Sequence, residues 1–454
     1  MTRMISKLFI ASRRLHERDQ KYVKNVALSL VLQGFSFCGT IFITPLALGF
    51  LDQERFGIWL VVSSCFNWIS VFNIGLGCGL RNKLAESIAH GDNHSSRKIV
   101  STTYFFVGII AIGCLITFLI LYPFVGWSNL MNVDISMQSE IKYSVLVCAM
   151  AFILRLLLSI MMNILEADQN VGLIKIFPFL SNIAVIVSLI IARVFFQSSL
   201  LVLCIVILIP EIIVYITLNL VFFRKRYQAI SPKLSEIDLP LGKVLIGMGF
   251  KFFIIQITMI IIYSTDNIII SQLFNPALVT PYNISFQYMG FAASFFFLLL
   301  SPSLAAFSEA NIKNDDKWII YTIKRLIFIW LFFCLGLLIL VLFSPFAYHV
   351  WIGDRVIIPM TLTVLMAIHA AVQSWNNIFG SYVSGTGKLN VSIIIGIIIS
   401  TLNIPLSIFL ARDAGFGLNG VILGSILCIS IISVVIPIQS YLIITRKARW
   451  IWNM

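Results

Sequence analysis

The chain has 454 residues, of which 59% are apolar and only 11% charged. Soluble domains are about half apolar and about a quarter charged, so this composition excludes a water-soluble protein and points to a polytopic membrane protein. The net charge of +13 would suggest nucleic acid in a soluble chain. Here it reads as loop Lys and Arg that hold topology, and no nucleic-acid partner is expected.

The start, MTRMISKLFIASRRLHERDQK, is basic and mixed. It has no apolar core followed by a small-residue cleavage site, so a cleaved signal peptide is not expected. Ile5, Leu8, Phe9 and Leu15 make one side of a short interfacial helix. About twelve apolar runs of at least ~20 residues follow, at 24–49, 56–80, 99–126, 142–165, 171–192, 199–222, 244–271, 280–305, 321–344, 358–384, 389–411 and 418–443. They are continuous runs and not the ~10-residue alternating segments of an outer-membrane barrel. The expected fold class is an all-α integral membrane protein.

The loops alternate in charge. One set carries Arg3, Lys7, Arg13, Arg14, Arg81, Lys83, Arg97, Lys98, Lys175, Arg224, Lys225, Arg226, Lys313, Lys317, Lys324, Arg325, Lys388, Arg446 and Lys447, among others. The other set has only Arg55, Lys142, Arg193, Arg355 and Arg412. That asymmetry places both termini in the cytoplasm. The longest basic connection, 223–243, holds Pro232 and Pro240 and reads as a cytoplasmic linker. It joins an N-terminal six-helix lobe (1–222, with a basic segment 1–23) to a C-terminal one (244–454).

The halves resemble each other. With a shift of 223, ERFGIWL (54–60) falls on ALVTPYN (277–283), and RNKLAES (81–87) falls on LAAFSEA (304–310), aligning Glu86 with Glu309. With a shift of 219, SNIAVIVSLIIAR (181–193) falls on STLNIPLSIFLAR (400–412). Six is even, so the copies share an orientation and relate by a pseudo-two-fold along the membrane normal.

Two stretches imitate nucleotide motifs. Gly75, Gly77 and Gly79 in VFNIGLGCGLRNKLAESIAHGD end an apolar run instead of following a strand, and read as a small-residue face for close helix packing. SGTGKL (384–389) has Tyr382 where a phosphate loop needs Gly, and Leu389 where it needs Ser or Thr. The histidines are scattered, with only His369 inside a span. All eight cysteines fall in apolar runs without a CxxC, and read as buried small hydrophobes. No metal site is expected.

The informative residues are ionisable groups inside the bilayer, which are costly and usually face a bundle interior or wet cavity. Arg155 lies about ten residues from either end of SVLVCAMAFILRLLLSIMMNIL, and Lys251 lies roughly two turns into its span. They line a cationic, anion-binding cavity or pair with Asp266, Glu211 or another buried acid. Asp266 is a gate contact, a cation-coupling site or a structural partner for Arg355 or Lys251. Glu211 follows Pro210, where a kink frees carbonyls. Glu86 and Glu309 are inner-gate candidates or solvated helix ends. Trp127, Trp351, Trp450 and Trp452 read as an interfacial belt. Trp375 and Tyr382 face either a glycan or lipid.

LDQERFGIWLVVSSCFNWISVFNIGLGCGLRNKLAESIAHGD resembles the first-loop and second-span region of bacterial polysaccharide exporters. STDNIIISQLFNPALVTPYNIS resembles their seventh-to-eighth-span region. The group most similar is the O-antigen flippase (Wzx-type) family, within the superfamily that includes lipid II flippases and MATE drug exporters. The resemblance implies translocation of an undecaprenyl-pyrophosphate-linked oligosaccharide across the bacterial inner membrane by alternating access, in O-antigen or similar polysaccharide biosynthesis. It implies a transporter and not an enzyme, with no cofactor, coupling to H+ or Na+ left open, and a polymerase and chain-length regulator as partners. Family members carry functional charges in the fourth and seventh spans, which hold Arg155, Lys251 and Asp266 here; Lys251 is a weaker bidentate pyrophosphate ligand than Arg. The competing readings are a MATE-type cation-coupled exporter, which predicts an acidic cavity, and a repeat-unit polymerase or glycosyltransferase, which needs longer outer loops.

Overall fold

The computed structural model describes residues 17–300 and 303–453; at 17–27, 71–74, 248, 251, 252, 263, 305 and 453 only the backbone is described. The expected interfacial helix at 5–15 lies outside these residues. Helices of eight residues or more are numbered in chain order. They are α1 (Glu17–Phe50), α2 (Gln53–Asn67), α3 (Val71–Ala89), α4 (Asn93–Leu121), α5 (Gln138–Leu158), α6 (Ile160–Ala167), α7 (Ile176–Phe195) and α8 (Leu200–Lys225). They continue with α9 (Leu239–Ser264), α10 (Asp266–Leu273), α11 (Val279–Leu300), α12 (Ser303–Ile312), α13 (Asp316–Ile352), α14 (Met360–Thr386), α15 (Asn390–Ile408) and α16 (Leu418–Ile444).

Among the described residues, ten helical segments are long and apolar enough to cross a membrane, or eleven when α2 and the later part of α3, bent by 43°, count as one span. The remaining expected span, 358–384, is α14. It is 27 residues long, but His369, Gln373, Asn376 and Asn377 lower its apolarity. The protein is an all-α membrane protein, as its composition requires.

The chain forms two compact units. Of the described residues, the first holds those in 17–50, 72–123 and 146–250; the second holds those in 51–71, 124–145 and 251–453. In the first unit, α7 packs between α1 and α8. Phe177 is fully buried there, with Tyr215 and Phe222 rings 5.0 and 6.1 Å away. Polar side chains join helices whose surfaces are otherwise apolar, as membrane packing favours. Asn182 Nδ2 donates to Ser36 O at 2.7 Å. Asn219 Nδ2 donates to Leu158 O at 3.0 Å and its Oδ1 accepts from Tyr104 at 3.3 Å.

The glycines of GLGCG sit inside α3 and allow three close approaches. A Cβ at Gly79 would collide with Leu245 O, one at Gly77 would meet Asn163 Nδ2 at 2.6 Å, and one at Gly249 would collide with Gly75 O. The stretch is therefore a helix-crossing surface. The segment after α8 is docked: Lys233 N donates to Ser101 Oγ at 2.9 Å and Asp238 N to Thr102 Oγ1 at 3.0 Å. Both hydroxyl residues are buried on α4.

In the second unit, α14 is central and packs on α11, α12, α13 and α16. Tyr382 is 1% exposed and meets Phe307 edge-on at 5.5 Å. Trp375 Nε1 donates to Ser433 O at 3.1 Å, and Trp330 Nε1 to Ala371 O at 2.9 Å. Tyr382 is thus core, open to neither glycan nor lipid. Trp127 is also buried. SGTGKL is the end of α14, where Gly387, at φ +74°, supplies the left-handed C-cap.

The shift of 223 recurs as local geometry. Asp92 caps α4 by accepting from Ser95 N at 2.9 Å, and Asp315 caps α13 by accepting from Trp318 N at 3.1 Å. The residue before each cap is left-handed, Gly91 at φ +70° and Asn314 at φ +55°, types that tolerate that conformation. The backbone bonds also correspond. His90 N donates to Glu86 O and Asp92 N to Ser87 O, while Lys313 N donates to Glu309 O and Asp315 N to Ala310 O. The same shift pairs Asp52, which caps α2 through Arg55 N, with Asn275, which accepts from Leu278 N.

Candidate functional site

Arg155 lies on α5 and Glu211 on α8, both in the first unit. Arg155 Nη1 stands 3.2 Å from Glu211 Oε1, with the side chains 41% and 18% exposed. The guanidinium also lies 5.7 Å from the Tyr215 ring centroid and 6.0 Å from that of Phe152. Glu211 and Tyr215 are one helical turn apart on α8, and Phe152 precedes Arg155 by three residues on α5, so these helix faces enclose the cation. Glu211 and the Tyr215 hydroxyl, which also accepts from the guanidinium, do not saturate its five donors. The arrangement holds a cation deep in a span while leaving part of its fork open. Pro210 lies inside α8, which is one continuous helix.

In the second unit, α9 stops at Ser264 and α10 begins at Asp266. Asp266 is 6% exposed. It accepts from the Tyr282 hydroxyl of α11, and Ser425 Oγ of α16 is 3.3 Å from both carboxylate oxygens. Asn403 Nδ2 of α15 donates to Ser425 Oγ at 3.0 Å. These partners are all neutral, and no ion pair reaches Asp266 among the described residues. An ionised carboxylate buried with only neutral partners is costly. Tyr282 and Ser425 are hydrogen-bond partners of Asp266, while the expected partner Lys251 has its side chain outside the described residues.

The first-half residues 51–71 pack in this second unit against 266–283. Gln53 Nε2 donates to Ala277 O at 3.0 Å, and Thr280 Oγ1 donates to Gln53 O at 2.8 Å. Asn267 Nδ2 donates to Ser64 Oγ at 2.7 Å, and a Cβ at Gly57 would collide with Pro276 O. The stretches aligned by the shift of 223 therefore touch, a contact the alignment does not announce. Nearby, Asn132 Nδ2 donates to Ser271 O and Phe274 O at 3.1 and 3.0 Å.

The other candidates lie apart. Lys251 is on α9, and its side chain lies outside the described residues. Glu86 pairs with Lys83 at 2.9 Å and Glu309 with Lys313 at 2.5 Å. Glu86 and Glu309 are exposed, and the Lys313 hydrogen bond holds the Glu309 carboxyl below its usual range. His369 is buried beside Phe286, ring centroids 5.9 Å apart. Cys148 and Cys204, unlinked, stand 3.7 Å apart between α5 and α8. No cluster of metal-ligating side chains occurs among the described residues.

No protein-family model matches the chain, and no curated protein matches it. Solved structures do match. An inward-facing conformation of a multidrug resistance MATE family transporter of the MOP superfamily aligns with TM-score 0.77 and 14% identity, over 92% of this chain and 98% of that one. An outward-facing conformation of such a transporter aligns with TM-score 0.65 and 14% identity, over 94% and 96%. A MOP superfamily transporter from Pyrococcus furiosus Vc1 (DSM3638), whose binding pocket of reverse polarity suggests a different function, aligns with TM-score 0.68 and 13% identity, over 95% and 96%. These neighbours are transporters and not enzymes, and the chain has their two-lobed, all-helical, MATE-like transporter fold.

Proposed function

We propose that this protein is a flippase that moves an undecaprenyl-pyrophosphate-linked oligosaccharide, an O-antigen or similar repeat unit, across the bacterial inner membrane by alternating access, with both termini in the cytoplasm. The observation that carries this reading is Arg155, a guanidinium held deep in a span with an open part of its donor fork. Charge-assisted hydrogen bonds from such a group suit a phosphate oxygen and offset the loss of hydration as the headgroup leaves the membrane surface. Lys251 supplies a second cation in this mechanism, and the prenyl tail stays in lipid. A polymerase and a chain-length regulator act on the product.

Asp266 supports ion coupling. A proton or Na+ neutralises its buried carboxylate, and release of that ion restores the cost of burial, so occupancy biases one conformation over another. The tight packing of 51–71 against 266–283 serves as a gate that must part in the cycle. Glu211 tunes Arg155, while Glu86 and Glu309 act at the inner ends of their helices.

The same carboxylate favours a second reading, a MATE-type cation-coupled exporter of small molecules. The two differ in substrate charge. Proteoliposomes containing the purified protein should translocate a fluorescent undecaprenyl-pyrophosphate oligosaccharide and leave a quaternary organic cation behind. The opposite result selects the exporter.

A further inference from the structure

The second unit contains a cavity of about 500 Å³, within the range of small-ligand sites. One wall is a single face of α14. Gln373, Asn376, Asn377, Gly380, Ser381 and Ser384 recur on it at helical spacing. Ser392 of α15 adds a hydroxyl, and the remaining wall is apolar, from α9, α11, α12, α15 and α16 with Leu389. No charged side chain lines it among the described residues. We infer that this cavity binds the uncharged sugar part of the substrate. The inference rests on the flippase reading and assigns Gln373, Asn376 and Asn377 as residues that select a neutral glycan.

The chemistry separates the ligand classes. A cation would need a carboxylate. An acyl chain would fit the apolar wall but leave the amides facing hydrocarbon, which is costly. A sugar ring has a hydroxyl edge for the amide face and a C–H face for the apolar one. The polar groups are also available. Gln373 and Asn377 make no side-chain hydrogen bond among the described residues. Asn376 Nδ2 donates to Ile429 O at 3.0 Å, while its Oδ1 is buried without a partner. A Cβ at Gly380 would meet nothing within 4 Å, so a large side chain there enters the cavity.

The cavity also touches the Asp266 network through one helix. Ser425, which holds Asp266, and Ile429, whose carbonyl holds Asn376, are one turn apart on α16.

The test uses the full chain in phospholipid nanodiscs, with saturation-transfer NMR to lactose as the neutral sugar and tetraethylammonium as the cation. Lactose should receive saturation, Asn376→Leu should weaken its binding roughly tenfold, and Gly380→Phe should abolish it. If Asn376→Leu does not fold, Gly380→Phe carries the test, because it adds volume to open space. No transfer to lactose, equal transfer in wild type and variants, or variant-sensitive binding of tetraethylammonium overturns the inference. Sugar binding without translocation of the lipid-linked glycan overturns the flippase reading alone; translocation without sugar binding here overturns this inference alone.

Discussion

Arg155 and Glu211 form an ion pair across two helices of the first unit, Nη1 to Oε1 at 3.2 Å. Removing one partner of a buried pair typically costs roughly 3–5 kcal/mol, because the other charge is stranded. Arg155 is 41% exposed, so solvent screens part of that. Arg155→Ala should destabilise the protein by roughly 1–3 kcal/mol, and Arg155→Ala with Glu211→Ala should recover most of the loss. Thermal unfolding in detergent checks this; equal stability of the single and double variants would contradict the pairing.

Asp266→Asn keeps the size of the side chain and removes the charge. It should bind substrate normally, lose its response to a proton or Na+ gradient, and unfold no earlier than wild type. Tyr282→Phe should keep the gradient response in weakened form, since Ser425 still holds the carboxylate. Transport measured with imposed and collapsed gradients separates these outcomes. A gradient response intact in Asp266→Asn would remove Asp266 from coupling.

Gly57 has no room for a side chain beside Pro276 O. Gly57→Ala should cost roughly 1–3 kcal/mol by overpacking and raise the labelling rate of a cysteine placed at Gln53 by an impermeant maleimide. Gly108→Ala, where a Cβ meets nothing within 4 Å, should be neutral or slightly stabilising. Equal effects of the two substitutions would contradict close packing of 51–71 on 276–280.

Asp92 is held below the usual carboxylate range by the Ser95 hydroxyl and N–H. Its folded value is depressed, so its stabilisation is present above the unfolded value and lost as pH falls through the folded one. Asp92→Asn, also a good N-cap, should keep α4 capped and flatten that acid-side loss. Unfolding curves across the acid range check the slope.

Much of the architecture is legible in the sequence, because membrane spans need only local apolarity. The shift of 223 is likewise visible in RNKLAES and LAAFSEA, and the structure realises it as matched turns at Gly91–Asp92 and Asn314–Asp315. The GLGCG stripe is readable as a packing surface because glycine lacks a Cβ. Partner choice is less local. Glu211 is one of several acids able to meet Arg155, and Ser425 lies 159 residues from Asp266, a distance that no periodicity spans. The face of α14 is written in the sequence as a 3.6-residue recurrence of Gln373, Asn376, Asn377, Ser381 and Ser384. Its apolar flanks let it read as one more span, and only packing shows that this face borders a cavity.

The most direct measurement is translocation of an undecaprenyl-pyrophosphate oligosaccharide in proteoliposomes by wild type, Arg155→Lys, Arg155→Ala and the Arg155→Ala, Glu211→Ala pair. The account predicts reduced transport with Lys, which keeps the charge but loses the fork, and no transport by either Ala variant, including the stable double. Wild-type transport by the double variant would contradict a phosphate-binding role for Arg155.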